Sequence, residues 1–174
     1  PIQNENGEII AFGARALDNK QIPKYLNSPS STIYNKSKIL YALNFAKEAI
    51  KKEDSVLIME GYFDVITAHM NGIKNAVATC GTALTSEQVK LLTKYTKSNR
   101  FLLSFDSDAA GINAAKRAGK ITKEVFTHLG NNAGSSLYEV RVLTIPDNKD
   151  PDEYIRTHGR DQYLKCISNA PFLI

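Results

Sequence analysis

The sequence SVLIMEGYFD (residues 55–64) places an acidic turn directly after a short apolar run. Ser55–Met59 has the continuous apolar pattern of a parallel strand that is buried on both faces of a sheet. Glu60 and Gly61 follow without a spacer, and Asp64 comes three residues later. The segment therefore predicts a buried strand that runs into a turn carrying two carboxylates.

Apolar periodicity along the rest of the chain predicts strands that alternate with helices. Strands are predicted over 55–59, 75–79, 101–105 and 137–145, and helices over 36–52, 64–71, 85–95, 109–129 and from 153 to the end. Thr85 and Gln88 form a capping-box signature at the start of one helix. This alternation predicts an α/β fold with a mostly parallel four-stranded sheet and helices on both faces.

The first thirty residues do not follow this alternation. Residues 8–17 form a strand-like run that is broken at Gly13, and residues 18–31 are rich in Pro, Ser and Asn. Such a composition is typical of an extended loop.

Composition excludes several classes of protein. The chain has 174 residues, of which 43% are hydrophobic, so it can bury a core without disulfides. Cys80 and Cys166 form no CxxC pair and are predicted to be free thiols, and the three histidines (His69, His128, His158) are not spaced as zinc ligands. No apolar run is long enough for a membrane span. The net charge of +4 indicates only mildly an anionic partner.

Three pairs of acids follow predicted strands. The pairs are Glu60 with Asp64, Asp106 with Asp108, and Asp150 with Asp152. Ligand sites of parallel sheets lie beyond the carboxyl ends of the strands, so these acids are expected at one edge. Carboxylates gathered there repel one another unless cations neutralise them. Hard oxygen ligands favour Mg²⁺ or Mn²⁺, which suit phosphoryl or nucleotidyl transfer.

Each pair also has a simpler explanation, because Asp is common at turns and helix N-caps. Taken singly, each pair favours that explanation. Three pairs at three predicted strand ends favour a metal site instead.

Several short segments, in order along the chain, resemble the catalytic core of bacterial DnaG-type DNA primases, including its Toprim domain. They are FGAR (12–15), KYLNSP (24–29), EGYFDV (60–65), ATCGTALT (78–85), DPDE (150–153) and APFL (170–173). Ala14, Cys80 and Ser107 depart from the family, which usually has Gly, Leu and Gly there. Both aspartates of the DSD segment are kept.

The resemblance implies a division of the chain. Residues 1–53 would be the C-terminal part of the α+β primase core subdomain, 54–150 the Toprim domain, and 151–174 the truncated start of a helical subdomain. It also implies that the chain is a fragment of a longer primase, since the family's N-terminal zinc-binding domain and its helicase-contacting part would lie outside these residues. We expect such a fragment to make little or no primer by itself.

The resemblance also implies roles for individual residues. Mg²⁺ or Mn²⁺ would be bound by Glu60, Asp64, Asp106, Asp108, Asp150 and Asp152, with Glu60, Asp106 and Asp108 catalytic. Glu60 would be either a ligand or a proton acceptor. Nucleotides and template DNA would bind at Arg15, Lys24, Tyr25, Asn27, Ser28 and Lys38. The implied partners are single-stranded DNA, NTPs, the RNA primer and the replicative helicase, in a bacterial cytosol or, alternatively, a plastid.

Two other functions stay open at this point. A Toprim nuclease or topoisomerase would share the metal ligands but cleave DNA. A binding module would use its acids only as helix caps and hold nucleic acid on a basic face. Tyr62 is interpreted as a packing residue of the turn, not as a nucleophile.

Overall fold

The computed structural model describes residues 1–18, 22–106, 109–133 and 138–173, with only the backbone described for 130–133 and 148. Its strands are β1 (Ile2–Gln3), β2 (Ile9–Ala11), β3 (Gly13–Arg15), β4 (Tyr25–Asn27), β5 (Leu40–Tyr41), β6 (Ser55–Met59), β7 (Ala76–Thr79), β8 (Arg100–Ser104) and β9 (Glu139–Val142). Its helices are α1 (Leu43–Glu53), α2 (Tyr62–Met70), α3 (Ser86–Leu92), α4 (Ala109–Ala133) and α5 (Pro151–Ser168), with a short 3₁₀ helix at Pro146–Asn148.

The central sheet has five strands in the order β5-β7-β6-β8-β9. The four strands β7, β6, β8 and β9 are parallel, whereas β5 joins the edge antiparallel to β7. In the centre, Leu57 of β6 lies opposite Ala76 of β7 and Leu102 of β8. The mostly parallel sheet is confirmed, with one more strand than the four that the sequence predicts.

Alternate residues of β6 face opposite sides of the sheet. Val56 and Ile58 pack into a core cluster with α1, α3 and α4, while Leu57 and Met59 pack into a second cluster with α2 and α5. The sequence therefore shows no polar alternation in this strand, because helices cover both faces. The predicted three-layer arrangement is confirmed.

The helix predicted over 36–52 begins only at Leu43, and this part of the prediction is wrong. Leu40–Tyr41 is instead the edge strand β5. Ala42 separates the two elements with a left-handed backbone (φ 64°). The buried Gln88 side-chain amide donates to the carbonyls of Lys36 and Ile39, at 3.0 and 2.8 Å, which holds the preceding segment in a non-helical path.

The extended loop predicted over 18–31 is also wrong in part. Tyr25–Asn27 forms β4, which pairs antiparallel with β3 in the register Gly13 to Asn27 and Arg15 to Tyr25. A strand of three exposed or half-exposed residues shows no apolar alternation, so its pattern is that of a loop. The two strands form a hairpin that stands over one end of the central sheet, and residues 19–21 lie outside the described residues.

Apart from β1, which the sequence did not predict, the remaining elements agree with the predictions except at their ends. β9 is shorter than the predicted 137–145, and α5 begins at Pro151, ahead of residue 153. The capping box of Thr85 and Gln88 is formed at the start of α3. Within the described ranges, none of the helices combines the length and the apolar character that a membrane crossing requires.

Candidate metal and nucleotide site

A cavity of about 360 Å³ lies beyond the carboxyl ends of the central strands. Acids line one side of it: Glu60, Asp64, Asp106, Asp150 and Asp152. The hairpin β3–β4 lines the other side with Arg15, Lys24, Tyr25 and Asn27. Two groups of residues that are far apart in the sequence thus share one space.

Strand direction explains why the acids meet. Glu60 directly follows β6, and Asp106 lies two residues beyond the end of the neighbouring parallel strand β8. Asp150 caps the start of α5, the helix that packs with α2 on the same face of the sheet. The carboxyl ends of parallel strands lie at one edge, so all three positions open onto one crevice.

Asp64 connects two of the turns around the cavity. Its side chain is only 8% exposed. The Gly61 N–H donates to Asp64 Oδ2 at 3.0 Å, and the Asp152 N–H donates to Asp64 Oδ1 at 3.1 Å. A methyl group on Gly61 would lie 2.7 Å from the same Oδ2, so glycine is what allows this close approach. Asp64 therefore fixes the acidic turn after β6 to the start of α5.

Burial dominates the ionisation of Asp64. Desolvation raises the pKa of its carboxyl from 3.8 to about 7, and the negative charges of Asp150 and Asp106 act in the same direction. The two backbone N–H donors, on Gly61 and Asp152, lower the pKa and offset part of this rise. The direction of the shift follows mainly from the burial of this carboxyl, and the neighbouring carboxylates add to it.

Asp150 and Asp152 both take part in hydrogen bonds at the start of α5. Asp150 Oδ1 accepts from the Glu153 N–H at 2.7 Å, which is an N-cap. Asp152 Oδ1 accepts from Thr67 Oγ1 and from Arg156 Nε, at 2.5 and 2.7 Å. The helix-cap explanation is thus correct for Asp150, and it does not displace that residue from the cavity.

Glu60 and Asp106 are half-buried and line the cavity. The first turn of α4 packs tightly on Asp106, because a methyl group at Gly111 would lie 2.0 Å from the Asp106 carbonyl oxygen. The predicted ligand Asp108 and its neighbour Ser107 lie outside the described residues.

The donor chemistry fits a hard divalent cation. Among the described residues, no group of three or more His, Cys, Asp or Glu side chains is arranged so that it could hold an ion by itself. Mg²⁺, however, usually binds through one or two carboxylates and keeps water and substrate phosphates as its other ligands. Carboxylates that line one cavity, Glu60 and Asp106 among them, meet that requirement.

An aromatic and cationic stack forms the opposite rim. The Arg15 guanidinium lies 5.5 Å from the ring centroid of Tyr25 and 5.1 Å from that of Phe63. Lys24 Nζ lies 5.8 Å from the same Tyr25 ring. Phe63 was not among the residues predicted from the sequence. The sequence shows only that Phe63 is an aromatic residue next to an acidic turn, and a packing role explains that equally well.

Tyr62 and Asn27 hold the hairpin against the sheet. Tyr62 Oη donates to Asn27 Oδ1 at 2.9 Å, and Asn27 Nδ2 donates to the Cys80 carbonyl at 3.3 Å. The Tyr62 ring packs on Tyr41, with centroids 4.6 Å apart. Burial raises the pKa of the Tyr62 hydroxyl above its ordinary value, so it stays protonated and remains a donor.

Two of the predicted nucleotide-binding residues do not reach this cavity. Ser28 Oγ accepts from the Phe12 N–H at 3.0 Å and closes the hairpin. Lys38 is exposed and follows a turn in which its N–H donates to the Asn35 carbonyl. Neither residue is among the described residues that line the cavity.

Residues 57–155 match the model of the Toprim-like family. The chain belongs to this family. Residues 1–47 match a second model, the DNA primase catalytic core, N-terminal domain. Together the two matches include all the described residues that line the cavity. Segment 48–56, which links them, belongs to neither match.

Several known proteins that are similar to this Toprim-like chain are primases. The DNA primase of Synechococcus elongatus is 43% identical over 172 residues, which are 98% of this chain and 24% of that protein. The Aquifex aeolicus primase structure (zinc-binding and RNA polymerase domains) has a TM-score of 0.86 at 36% identity, covering 99% of this chain and 40% of that one. A DnaG primase catalytic domain bound to single-stranded DNA has a TM-score of 0.83 at 34% identity, covering 99% and 51%.

These likenesses confirm the resemblance to the DnaG-type catalytic core. The chain spans about a quarter of the length of the curated relatives that it matches. It therefore corresponds to one section of those proteins, and a role in the activity of a whole primase is proposed below.

Proposed function

We propose that this chain supplies the metal site and nucleotide groove of a DNA primase, which joins NTPs into short RNA primers on single-stranded DNA during replication. The observation that carries the proposal is one cavity that is lined by Glu60 and Asp106 together with Arg15, Lys24 and Tyr25. Acids suit the metal ions of nucleotidyl transfer, while cations and rings suit nucleotides. The match of residues 1–47 to the primase core model favours primer synthesis over DNA cleavage.

The acidic residues divide into two groups by their contacts. We assign Mg²⁺ or Mn²⁺ binding to Glu60, Asp106, Asp108 and Asp150. Asp64 and Asp152 bind it less directly, because each already accepts two hydrogen bonds that fix the surrounding turns, whereas Asp150 accepts one at the start of α5. When bound, the ion would stabilise negative charge on the attacking and leaving oxygens.

The rim opposite the acids would bind the incoming nucleotide. Arg15 and Lys24 attract its phosphates. Tyr25 and Phe63 offer ring faces on which a base stacks, and Arg15 lies close to both rings. Tyr62 and Asn27 keep this rim at a fixed distance from Glu60 by linking the hairpin to the sheet.

In the proposed reaction, the 3′-hydroxyl oxygen of one nucleotide forms a bond to the α-phosphorus of an NTP. The bond between that phosphorus and the β-phosphate oxygen breaks, and pyrophosphate leaves. The hydroxyl proton passes to Glu60 if this residue is the base, or to water if it is a metal ligand.

We also propose the division into residues 1–53, 54–150 and 151–174 described above, a bacterial cytosolic location, and single-stranded DNA, NTPs and the RNA primer as partners. A solved relative bound to single-stranded DNA supports the first of these partners. Contact with the replicative helicase would use regions outside these residues.

Primer synthesis by a full-length protein that carries this sequence tests the proposal. It is incubated with single-stranded DNA, labelled NTPs and Mg²⁺ or Mn²⁺, and separately with supercoiled plasmid. We expect RNA complementary to the template, reduced about 100-fold or more by Asp106→Asn or Glu60→Gln. Asp161→Asn is the matched control, because Asp161 is exposed on α5 and does not line the cavity. Nicking or relaxation of the plasmid without primer formation contradicts the proposal.

A further inference from the structure

Glu60 lines two cavities. Besides the cavity described above, it lines a second one of about 340 Å³, and Gly81 also lines both. This second cavity lies between the loop after β7, which contributes Gly81 and Ala83, and the first half of α4. A volume of about 340 Å³ lies at the lower end of the range of about 300–1,000 Å³ that is usual for small-ligand pockets.

The second cavity has a different lining from the first. One face of α4 borders it with Ala110, Ala114 and Arg117, which are spaced four and three residues apart and therefore lie on one side of the helix. Phe105, at the end of β8, adds an apolar wall. Glu60 is the one acid among the described residues that line it. Small apolar walls suit a base and a sugar, and an arginine suits a phosphate.

We propose that the second cavity binds the 3′-terminal nucleotide of the growing RNA, the one whose hydroxyl attacks, and that Arg117 contacts its backbone phosphate. This inference rests on the proposed function and adds a second nucleotide subsite to it. The reaction joins two nucleotides, and an attacking hydroxyl must lie beside the metal-binding acids. Glu60, which both cavities share, is the position where the two substrates would meet.

Further positively charged side chains lie along α4 beyond the second cavity. Exposed Lys120 and Lys123 follow Arg117 along the helix as it leads away from Asp106. Lys120 is partly offset by Glu124, 3.9 Å away. Such a row of cations attracts the phosphates that precede the terminal nucleotide without reading their sequence. Arg117 differs from its neighbours because it lines the cavity as well.

The adjacent Lys116 provides a matched control for Arg117. Both residues are exposed and cationic on α4, but of the two only Arg117 is among the described residues that line the cavity. Arg117→Ala and Lys116→Ala thus remove the same charge from nearly the same place. A third variant, Ala83→Leu, fills the cavity from an exposed position and leaves the charge unchanged.

The test is binding of a short RNA that carries 2-aminopurine at its 3′ end, measured by fluorescence with the full 174-residue chain. We expect a larger emission change than for the same RNA labelled at its 5′ end. Arg117→Ala and Ala83→Leu should each weaken binding about tenfold, and Lys116→Ala less than about twofold. Equal emission changes for the two labels, or equal effects of the two charge variants, overturn the inference.

This measurement is separate from primer synthesis. If the RNA 3′ end binds through Arg117 while the full-length protein makes no primer, the proposed function fails and the binding site stands. If primers are made while Arg117→Ala behaves as Lys116→Ala does, the second subsite fails and the proposed function stands.

Discussion

Replacement of Gly111 by alanine is expected to disturb the metal site, because Gly111 packs directly against the backbone of Asp106. The added methyl group would lie 2.0 Å from the Asp106 carbonyl oxygen, whereas ordinary contact begins at 3.4 Å. One of the two groups must therefore move by roughly 1.4 Å, and backbone on both sides resists that movement. Because Asp106 lines the cavity, its carboxylate would move with its backbone.

Two opposing effects determine the result of Gly111→Ala. Alanine gains about 1 kcal/mol of helix propensity over glycine. Overpacking at a buried backbone position costs about 1–3 kcal/mol. We therefore expect the free energy of unfolding to fall or stay level, and Mn²⁺ affinity to weaken about 10–100-fold, as for other changes that displace a ligand. Urea denaturation and Mn²⁺ titration measure the two quantities.

Gly119→Ala is the control in the same helix. Its methyl group would meet Leu173 Cδ2 at 2.4 Å, the far end of a side chain that can rotate away. We expect Mn²⁺ affinity to be unchanged in that variant. A Gly111→Ala protein that is more stable than wild type and binds Mn²⁺ equally well would refute the packing of α4 against Asp106.

Three further predictions concern the scaffold. Gln88→Ala should lower the free energy of unfolding by about 2–4 kcal/mol in urea, since it removes a fully buried side chain and leaves its three half-buried hydrogen-bond partners without it; a loss under about 1 kcal/mol contradicts this. Backbone N–H donors hold the pKa of Asp54 below 3.8. The stability lost in Asp54→Ala should therefore be constant at neutral pH and shrink as the pH falls below about 4, and a pH-independent loss contradicts it. Tyr62→Phe removes the donor to Asn27 and should cost about 1 kcal/mol, with faster amide exchange in β4; unchanged exchange argues against this link.

The buried parallel strands were predictable because their sequence pattern is local. Ser55–Met59 was predicted with its observed ends, and β7 and β8 within one residue of theirs. Helices on both faces bury every side chain of these strands, so a continuous apolar run is sufficient evidence for them. The short strand β5 was missed because its two residues owe their conformation to pairing with Thr79 and Ala78 of β7.

The candidate site, like the fold, was predictable from the sequence only in part. The position of the acids followed from strand ends, which the sequence shows. Their individual contacts did not, because they depend on distant pairings. The bond from Asp152 to Asp64 joins residues 88 apart, and that from Tyr62 to Asn27 joins residues 35 apart. Phe63 was missed for the same reason, since its value as a stacking surface depends on where the hairpin places Arg15.

Mn²⁺ binding to the chain tests the central claim most directly, namely that the carboxylates at the end of β6 and β8 form a divalent-metal site. Isothermal titration calorimetry with Mn²⁺ compares wild type with Asp106→Asn, Glu60→Gln and the control Asp161→Asn. We predict that wild type and the control bind equally and that each site variant binds at least about tenfold more weakly. Equal Mn²⁺ affinity in all four proteins, or no binding to wild type, would contradict the account.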